Sequence, residues 1–195
     1  MKLVLASKNE KKLREMNDIL SGMGVEVCLQ ADVGIDIDVE ETGTTFEENS
    51  RLKAQAVMEA SGLPAIADDS GLCVDALNGA PGVYSARYGG EGLDDVGRYR
   101  LLLANMPKGA ARTAKFVSVI TCCFPGGDVL TARGECPGTI AFAPMGEGGF
   151  GYDPVFFRPK LKKTFAQLAP EEKNAISHRG RALEAFQAKL EEYFK

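Results

Sequence analysis

Apolar residues change between strand-like and helix-like spacing along the first part of the chain. The continuous apolar run Leu3–Ala6 predicts a buried strand. The next apolar positions recur every three or four residues, as on one face of a helix that ends at Gly22, and are Leu13, Met16, Ile19 and Leu20. A second strand is predicted where apolar residues alternate at Val25, Val27 and Leu29. Strand, helix and strand in this order are typical of α/β proteins.

A second helix and a short strand are predicted next. Thr44 and Thr45, which precede Glu47 and Glu48, form a helix-start signature, and Gly62 and Pro64 mark the end of that helix. The residues Leu63–Ala67 then predict a short buried strand. Its end is expected to present the polar residues that follow, as α/β proteins commonly do with ligand groups.

The second half of the chain carries further helices and a hairpin. Asp94 and Asp95 indicate a helix start. The apolar runs Phe116–Ile120 and Val129–Ala132 flank the turn residues Pro125–Asp128, which predicts a β-hairpin. A last helix presents Leu183, Phe186, Leu190 and Phe194. Together these elements predict an α/β protein with a mixed, twisted sheet, and residues 1–195 are interpreted as one domain.

Composition narrows the class of protein. A chain of 195 residues with 45% hydrophobic content can bury one sizeable core, and we expect one domain, with one or two lobes. A net charge of −4 disfavours a nucleic-acid binder, whose domain is usually basic. Five cysteines without Cys-x-x-Cys spacing favour a reducing, cytoplasmic location. The apolar start is too short for a signal peptide, and no run is long enough to cross a membrane.

Two adjacent carboxylates, Asp68 and Asp69, lead directly into Ser70 and Gly71. Neighbouring strand residues face opposite ways, so we expect one Asp to face a cleft and the other to anchor the local structure. Paired carboxylates suit a hard cation, which prefers oxygen ligands. An ordinary capped turn is the alternative, since Asp-Ser-Gly is common in turns.

Three other segments have features of phosphate or base binding. The run Ser7–Lys12 follows the first strand and opens a helix, whose free N–H groups and positive end favour anions; a plain helix cap is the alternative. The glycine-rich run Gly146–Asp153 allows close backbone approach and offers Phe150 and Tyr152 as stacking faces; a mobile loop is the alternative. Lys173, with the segment His178–Arg181, supplies cations near the last helix.

These motifs, in their order, carry a resemblance to a known family. They read SKNEKKLRE, EETGTTFEENSRLKA, ADDSGL, GAPGVYSARYGG, GGFGYDPVF and SHRGRAL, and extend from Ser7 to Leu183. The chain resembles the noncanonical purine nucleoside triphosphate pyrophosphatases, the Ham1 or inosine triphosphate pyrophosphatase family. The resemblance implies an elongated, two-lobed α/β fold with the nucleotide in a cleft between the lobes, a homodimer, and Mg²⁺-dependent hydrolysis of ITP, dITP or XTP to the monophosphate and pyrophosphate.

The resemblance also implies roles for individual residues. It makes Asp69 the proton acceptor and a metal ligand, with Glu40 or Glu41 as the second carboxylate. The residues that it places around the substrate are Ser7, Lys8, Asn9, Glu10, Lys11, Lys12, Lys53, Ser70, Phe150, Gly151, Tyr152, Asp153, Lys173, His178 and Arg179.

We divide these residues by chemistry. Lys12, Lys53 and a solvated Lys173 are expected to meet phosphates, and Phe150 to stack on the base. Asp153, His178 and Arg179 are expected to recognise the base edge, because a 6-keto purine presents an acceptor where adenine presents a donor. The motif around Pro81–Tyr88 has no assigned role beyond a lobe-connecting or dimer-contacting loop. An Asp-nucleophile phosphatase and a nucleotide-sensing module remain alternatives.

Overall fold

The computed structural model describes residues Met1–Lys195 and contains one seven-stranded sheet with five helices. The strands are β1 (Lys2–Leu5), β2 (Glu26–Leu29), β3 (Ala65–Val74), β4 (Thr113–Cys123), β5 (Val129–Ile140), β6 (Phe156–Arg158) and β7 (Lys163–Thr164). The helices are α1 (Glu10–Leu20), α2 (Phe46–Ser61), α3 (Asp95–Asn105), α4 (Pro170–Ile176) and α5 (His178–Tyr193). Short 3₁₀ turns connect several of these elements.

The sheet is mixed, as predicted. Its strand order is β2-β1-β3-β4-β5-β6-β7. Strand β1 pairs in parallel with β2 and β3, whereas β6 pairs antiparallel with β5 and β7. The predicted hairpin is present between β4 and β5, where the amide of Phe124 donates to the carbonyl of Asp128. The α/β class with a mixed sheet is therefore confirmed.

The chain divides into two compact units. The first comprises Met1–Asp69, Ser118–Gly134 and Arg179–Lys195. In it, β1 and β3 lie between two apolar layers, as parallel strands with helices on both faces require. Leu3, Leu5 and Ile66 pack with the buried residues of α1 and α5, and the opposite face packs with Ala54 and Val57 of α2.

The second unit comprises Ser70–Val117 and Glu135–His178, with an aromatic core. Phe116 packs against Phe156 with ring centroids 4.4 Å apart, and Phe156 meets Phe165 edge-on at 4.8 Å. Leu102 of α3 is fully buried in the same core. No helix of the structure combines the length and the apolar character needed to cross a bilayer. The nucleotide cleft stays a prediction of the resemblance.

Strand β3 differs from the prediction in its extent. The short strand Leu63–Ala67 was expected to end before the two aspartates, but β3 continues to Val74 and holds Asp68 and Asp69 in its interior. Polar residues next to a glycine predict a turn when only local sequence is considered. The strand persists because distant residues satisfy the Asp68 carboxylate, which receives hydrogen bonds from Ser118 and Arg179.

Candidate functional site

Asp68 is the fully buried anchor of a charged network in the first unit. Its Oδ2 lies 2.7 Å from Nε of Arg179, and its Oδ1 accepts a hydrogen bond from Ser118 Oγ at 3.0 Å. Arg179 also pairs with Glu15 of α1, and Lys12 Nζ lies 3.6 Å from Asp68 Oδ2. Burial opposes ionisation, but the Arg179 and Lys12 cations hold the pKa of Asp68 well below its usual range. Asp68 therefore remains charged and fixed in place.

Asp69 has a different environment one residue later. Its Oδ1 lies 3.2 Å from Nζ of Lys53, which also contacts Glu41 Oε1 at 2.8 Å. Its Oδ2 is buried and has no hydrogen-bond partner. Burial raises the pKa of Asp69 to about 6, and although Lys53 opposes this rise, the charge of Glu41 adds to it. Two adjacent carboxylates thus have opposite pKa shifts, as expected for one anchor and one group poised to exchange protons.

Lys53 contacts both Asp69 and Glu41, two of the three carboxylates (Glu40, Glu41 and Asp69) that the sequence analysis named as metal ligands. Burial opposes protonation of Lys53, but Asp69 and Glu41 raise its pKa above the ordinary value, so it is a cation. Of the two glutamates, Glu41 belongs to this group, whereas Glu40 is exposed. We call Glu41, Asp68 and Asp69, with the cations Lys12, Lys53 and Arg179, the carboxylate cluster.

The donor set of the carboxylate cluster fits a hard divalent cation. No three Asp, Glu, His or Cys side chains of residues 1–195 are gathered as a ready metal cage. The buried Oδ2 of Asp69, however, lacks any donor, and a cationic group already lies between Asp69 and Glu41. Mg²⁺ commonly takes only one or two carboxylates from the protein, which matches this pair of oxygen ligands.

The predicted phosphate-binding run Ser7–Lys12 begins helix α1 in the manner of a capped helix. Asn9 is the N-cap, and its Oδ1 accepts hydrogen bonds from the amides of Lys11 and Lys12 at 3.0 and 3.1 Å. Ser7 Oγ accepts the Asn9 amide, and Glu10 and Lys11 are exposed. The structure therefore shows the helix cap that was the alternative prediction, in which Asn9 accepts two of the N–H groups at the start of α1.

Lys8 and Lys12, both in the run Ser7–Lys12, have different surroundings. Lys8 forms exposed ion pairs with Asp36 and Asp38, each at 3.0 Å. Lys12 lies deeper, and its Nζ is 3.5 Å from the carbonyl oxygen of Asp68. Burial lowers the pKa of Lys12, in spite of the nearby Asp68 charge. Lys53 Nζ lies 3.1 Å from the same Asp68 carbonyl, so Lys12 and Lys53 come together while Lys8 does not join them.

In the second unit, Lys173 is buried, which differs from the solvated side chain that was expected. It lies within α4 and its Nζ forms a 2.7 Å ion pair with Oδ2 of Asp153. The same nitrogen lies 4.8 Å from the centre of the Phe150 ring, a cation–π distance. Phe150, Asp153 and Lys173 therefore form one charged and aromatic group.

The glycine-rich loop, Gly146–Asp153, is tied down rather than loose. The Gly148 amide donates to the carbonyl of Ala166, and the Gly151 amide donates to Asp95 Oδ2 at 2.9 Å. Gly149 has a φ of +68°, and a Cβ built there would overlap Asp153 Oδ2. Glycine is thus required at 149 both by the backbone and by the close approach of Asp153.

Three further predicted residues have placements that change their expected roles. Tyr152 is buried, and its hydroxyl donates to the carbonyl of Ser85 at 2.6 Å, so its ring is not an open stacking face. The His178 ring stacks on Phe116 at 4.5 Å within the aromatic core. Arg179, expected at the base edge, is bonded to Asp68 and Glu15. Ser70 follows Asp69 on β3 and is half-buried.

Sequence reasoning missed several residues that hold the site. Glu15 and Ser118 complete the surroundings of Arg179 and Asp68, while Ser85 and Asp95 hold the glycine-rich loop. Ser85 lies in the matched GAPGVYSARYGG motif, which gave a signal without a role. Ser118 sits in a plain apolar run, where a lone buried serine gave no such signal.

Comparisons with known proteins agree with the motifs. The model of the Ham1 family matches residues 3–189. A dITP/XTP pyrophosphatase of Haemophilus influenzae is 52% identical over 193 residues, covering 97% of this chain and 98% of its own.

Two solved structures are similar over almost the whole chain. The Ham1 protein of Coxiella burnetii has a TM-score of 0.90 at 43% identity, covering 98% of this chain and 99% of its own. The Ham1 protein of Staphylococcus aureus has a TM-score of 0.88 at 44% identity, covering 99% and 100%.

Proposed function

We propose, since this chain belongs to the Ham1 family, that it hydrolyses noncanonical purine nucleoside triphosphates (dITP, XTP and ITP) to the monophosphate and pyrophosphate. The similarity to dITP/XTP pyrophosphatases over nearly the full length supports this substrate class. The observation that carries the chemistry is the contrast between Asp68 and Asp69, one held ionised and the other with a pKa of about 6. Such a separation is typical of sites where one carboxyl group moves protons.

Asp69 is the proposed general base. It would accept a proton from water while the water oxygen bonds to the α- or β-phosphorus. The bond from that phosphorus to the bridging oxygen then breaks, so that one product keeps the new hydroxyl and the other leaves with the bridging oxygen, and Asp69 returns its proton to solvent. The carboxylate has an oxygen, Oδ2, to which no side chain or backbone group donates, and this supports a chemical rather than a structural role for Asp69. Asp68 is a poor alternative as base or phosphoryl acceptor, because Ser118 and Arg179 already occupy its two oxygens.

The other residues of the site have proposed roles in binding. Lys12 and Lys53 would neutralise phosphate oxygens. Both ammonium groups lie within 3.5 Å of the Asp68 carbonyl oxygen, so the two positive charges are close together. Glu41 and Asp69 would hold Mg²⁺, which when bound screens the triphosphate charge and polarises a phosphoryl oxygen. In the second unit, Phe150 would stack on the purine, and Lys173 with Asp153 would recognise its edge.

We also propose a single-domain homodimer in the cytoplasm. The homodimer is what the family resemblance implies, and five cysteines without Cys-x-x-Cys spacing suit a reducing compartment. Strands β3, β4 and β5 each contribute residues to both compact units, which supports one domain. Sedimentation of the purified protein tests the dimer: a monomer at micromolar concentration would contradict it.

One experiment tests the activity. The protein is incubated with Mg²⁺ and each of dITP, ITP, XTP, dATP, ATP and GTP, and the products are separated. We expect pyrophosphate and monophosphate from the first three, and far slower turnover of dATP and ATP. Release of inorganic phosphate alone would indicate a phosphatase, and tight binding without products would indicate a nucleotide sensor.

A further inference from the structure

The matched segment Gly79–Gly90 has no role in the proposed mechanism, yet one of its residues is buried among polar contacts. Ser85 is the buried residue of the 3₁₀ turn Gly82–Arg87. Its Oγ donates to the carbonyl of Gly82 at 2.6 Å and accepts the amide of Leu72 on β3 at 2.9 Å. The Ser85 side chain thus holds its own backbone in one position against the strand.

The carbonyl of Ser85 is in turn the acceptor for the glycine-rich loop. Tyr152 Oη donates to it at 2.6 Å in a buried hydrogen bond. Burial raises the pKa of the Tyr152 phenol, so the hydroxyl is a neutral donor. Tyr152 is 6% exposed, and its ring packs with the aromatic core of the second unit.

The loop residues beside Tyr152 are those that hold Lys173. The Phe150 amide donates to Asp153 Oδ2 at 3.1 Å, and that oxygen is the ion-pair partner of Lys173. A rotation of the Tyr152 backbone would therefore move both Phe150 and Asp153. Its side chain is anchored at the far end by a single hydrogen bond to Ser85.

We propose that Ser85 is a positioning residue for base recognition, acting through Tyr152 on the glycine-rich loop. The inference rests on the proposed function, because it takes the group of Phe150, Asp153 and Lys173 to be the base-binding part of the site. It assigns the buried serine of the GAPGVYSARYGG motif to binding of the base. Phosphate binding and water activation, which use the carboxylate cluster, are not expected to depend on it.

Two variants remove the link at different points. Tyr152→Phe deletes the hydroxyl but keeps the buried ring, so the fold should persist. Ser85→Ala keeps the accepting carbonyl but removes the hydroxyl that fixes it. Tyr88→Phe is the matched control, because it also deletes a tyrosine hydroxyl in the second unit. The Tyr88 hydroxyl accepts a hydrogen bond from the exposed side chain of Asn105.

The measurements distinguish a defect in base binding from a defect in phosphate binding. Two quantities are measured for each variant. The first is the steady-state kinetics on ITP, and the second is the inhibition constant of inorganic tripolyphosphate, which has phosphates but no base. For Tyr152→Phe we expect the KM for ITP to rise about 5-fold to 10-fold, the scale of one buried hydrogen bond, with kcat changed less than about twofold. The tripolyphosphate inhibition constant should not change. Ser85→Ala should show the same pattern, and the double variant should be no worse than the stronger single variant.

The contrary results are equally definite. A parallel weakening of tripolyphosphate inhibition, additive effects of the two variants, or an unchanged KM in folded Tyr152→Phe would overturn the proposal. An equal change in Tyr88→Phe would overturn it too. If the wild type binds ITP without hydrolysing it, the proposed function fails separately; calorimetric dissociation constants for ITP and tripolyphosphate then decide the role of Ser85 in the same way.

Discussion

Replacing Asp69 by Asn should make the metal-free protein more stable while it destroys turnover. Asp69 is 5% exposed, one of its carboxylate oxygens has no partner, and burial raises its pKa from 3.8 to about 6. The native state therefore retains a proton that the unfolded chain has lost between these two pH values. Stability falls as the pH rises through this window, and above pH 6 the full cost of the buried charge is present.

The size of this cost follows from the pKa difference. The difference between 3.8 and about 6 corresponds to about 3 kcal/mol of unfolding free energy at pH 8, and about half of that cost is present at pH 5. Asn has nearly the same shape and cannot ionise, so Asp69→Asn should recover this free energy of unfolding. Turnover should fall at least ~10²-fold, because the variant lacks both the base and a metal ligand.

Urea denaturation at pH 5 and pH 8 with a metal chelator measures the free energy of unfolding. Asp68→Asn is the matched control, since the pKa of Asp68 lies below its usual range and its loss would leave Arg179 buried without that partner. The Asp68→Asn variant should lose about 3–5 kcal/mol of unfolding free energy at both pH values. Adding Mg²⁺ should stabilise the wild type and much less Asp69→Asn. The reasoning is refuted if Asp69→Asn is less stable than the wild type at pH 8 without metal.

Three further outcomes are expected. Lys173→Ala should lower the melting temperature as well as raise the KM for ITP, because Asp153 loses its buried ion-pair partner; unchanged thermal melting would contradict this. Arg179→Ala should reduce kcat/KM for ITP and ATP equally, because its guanidinium holds Asp68; a selective loss on ITP would restore its role in base recognition. Gly149→Ala should displace Asp153 and raise the KM for ITP more than about 10-fold, while exposed Gly126→Ala, with open space around it, leaves kinetics unchanged.

The sequence by itself determined the elements whose causes are local. The helix start predicted from Thr44, Thr45, Glu47 and Glu48 is present, with its N-cap at Thr45. The helix start at Asp94 and the hairpin with its turn at Pro125–Asp128 are present as well. Each depends on hydrogen bonds and backbone preferences within a few residues, which a sequence displays directly. The order of motifs also indicated the family, because spacing along a chain needs no tertiary information.

Only the tertiary structure decided what the two adjacent aspartates are. In sequence, Asp68 and Asp69 are the same side chain one position apart. In the structure, Asp68 meets Arg179, which lies 111 residues away, whereas Asp69 meets Lys53 and leaves one oxygen without a donor. Alternate strand residues face opposite surroundings, and the pKa of a carboxyl group depends on the charges and water within a few ångströms. Those neighbours come from distant parts of the chain, so the assignment of anchor and base required the fold.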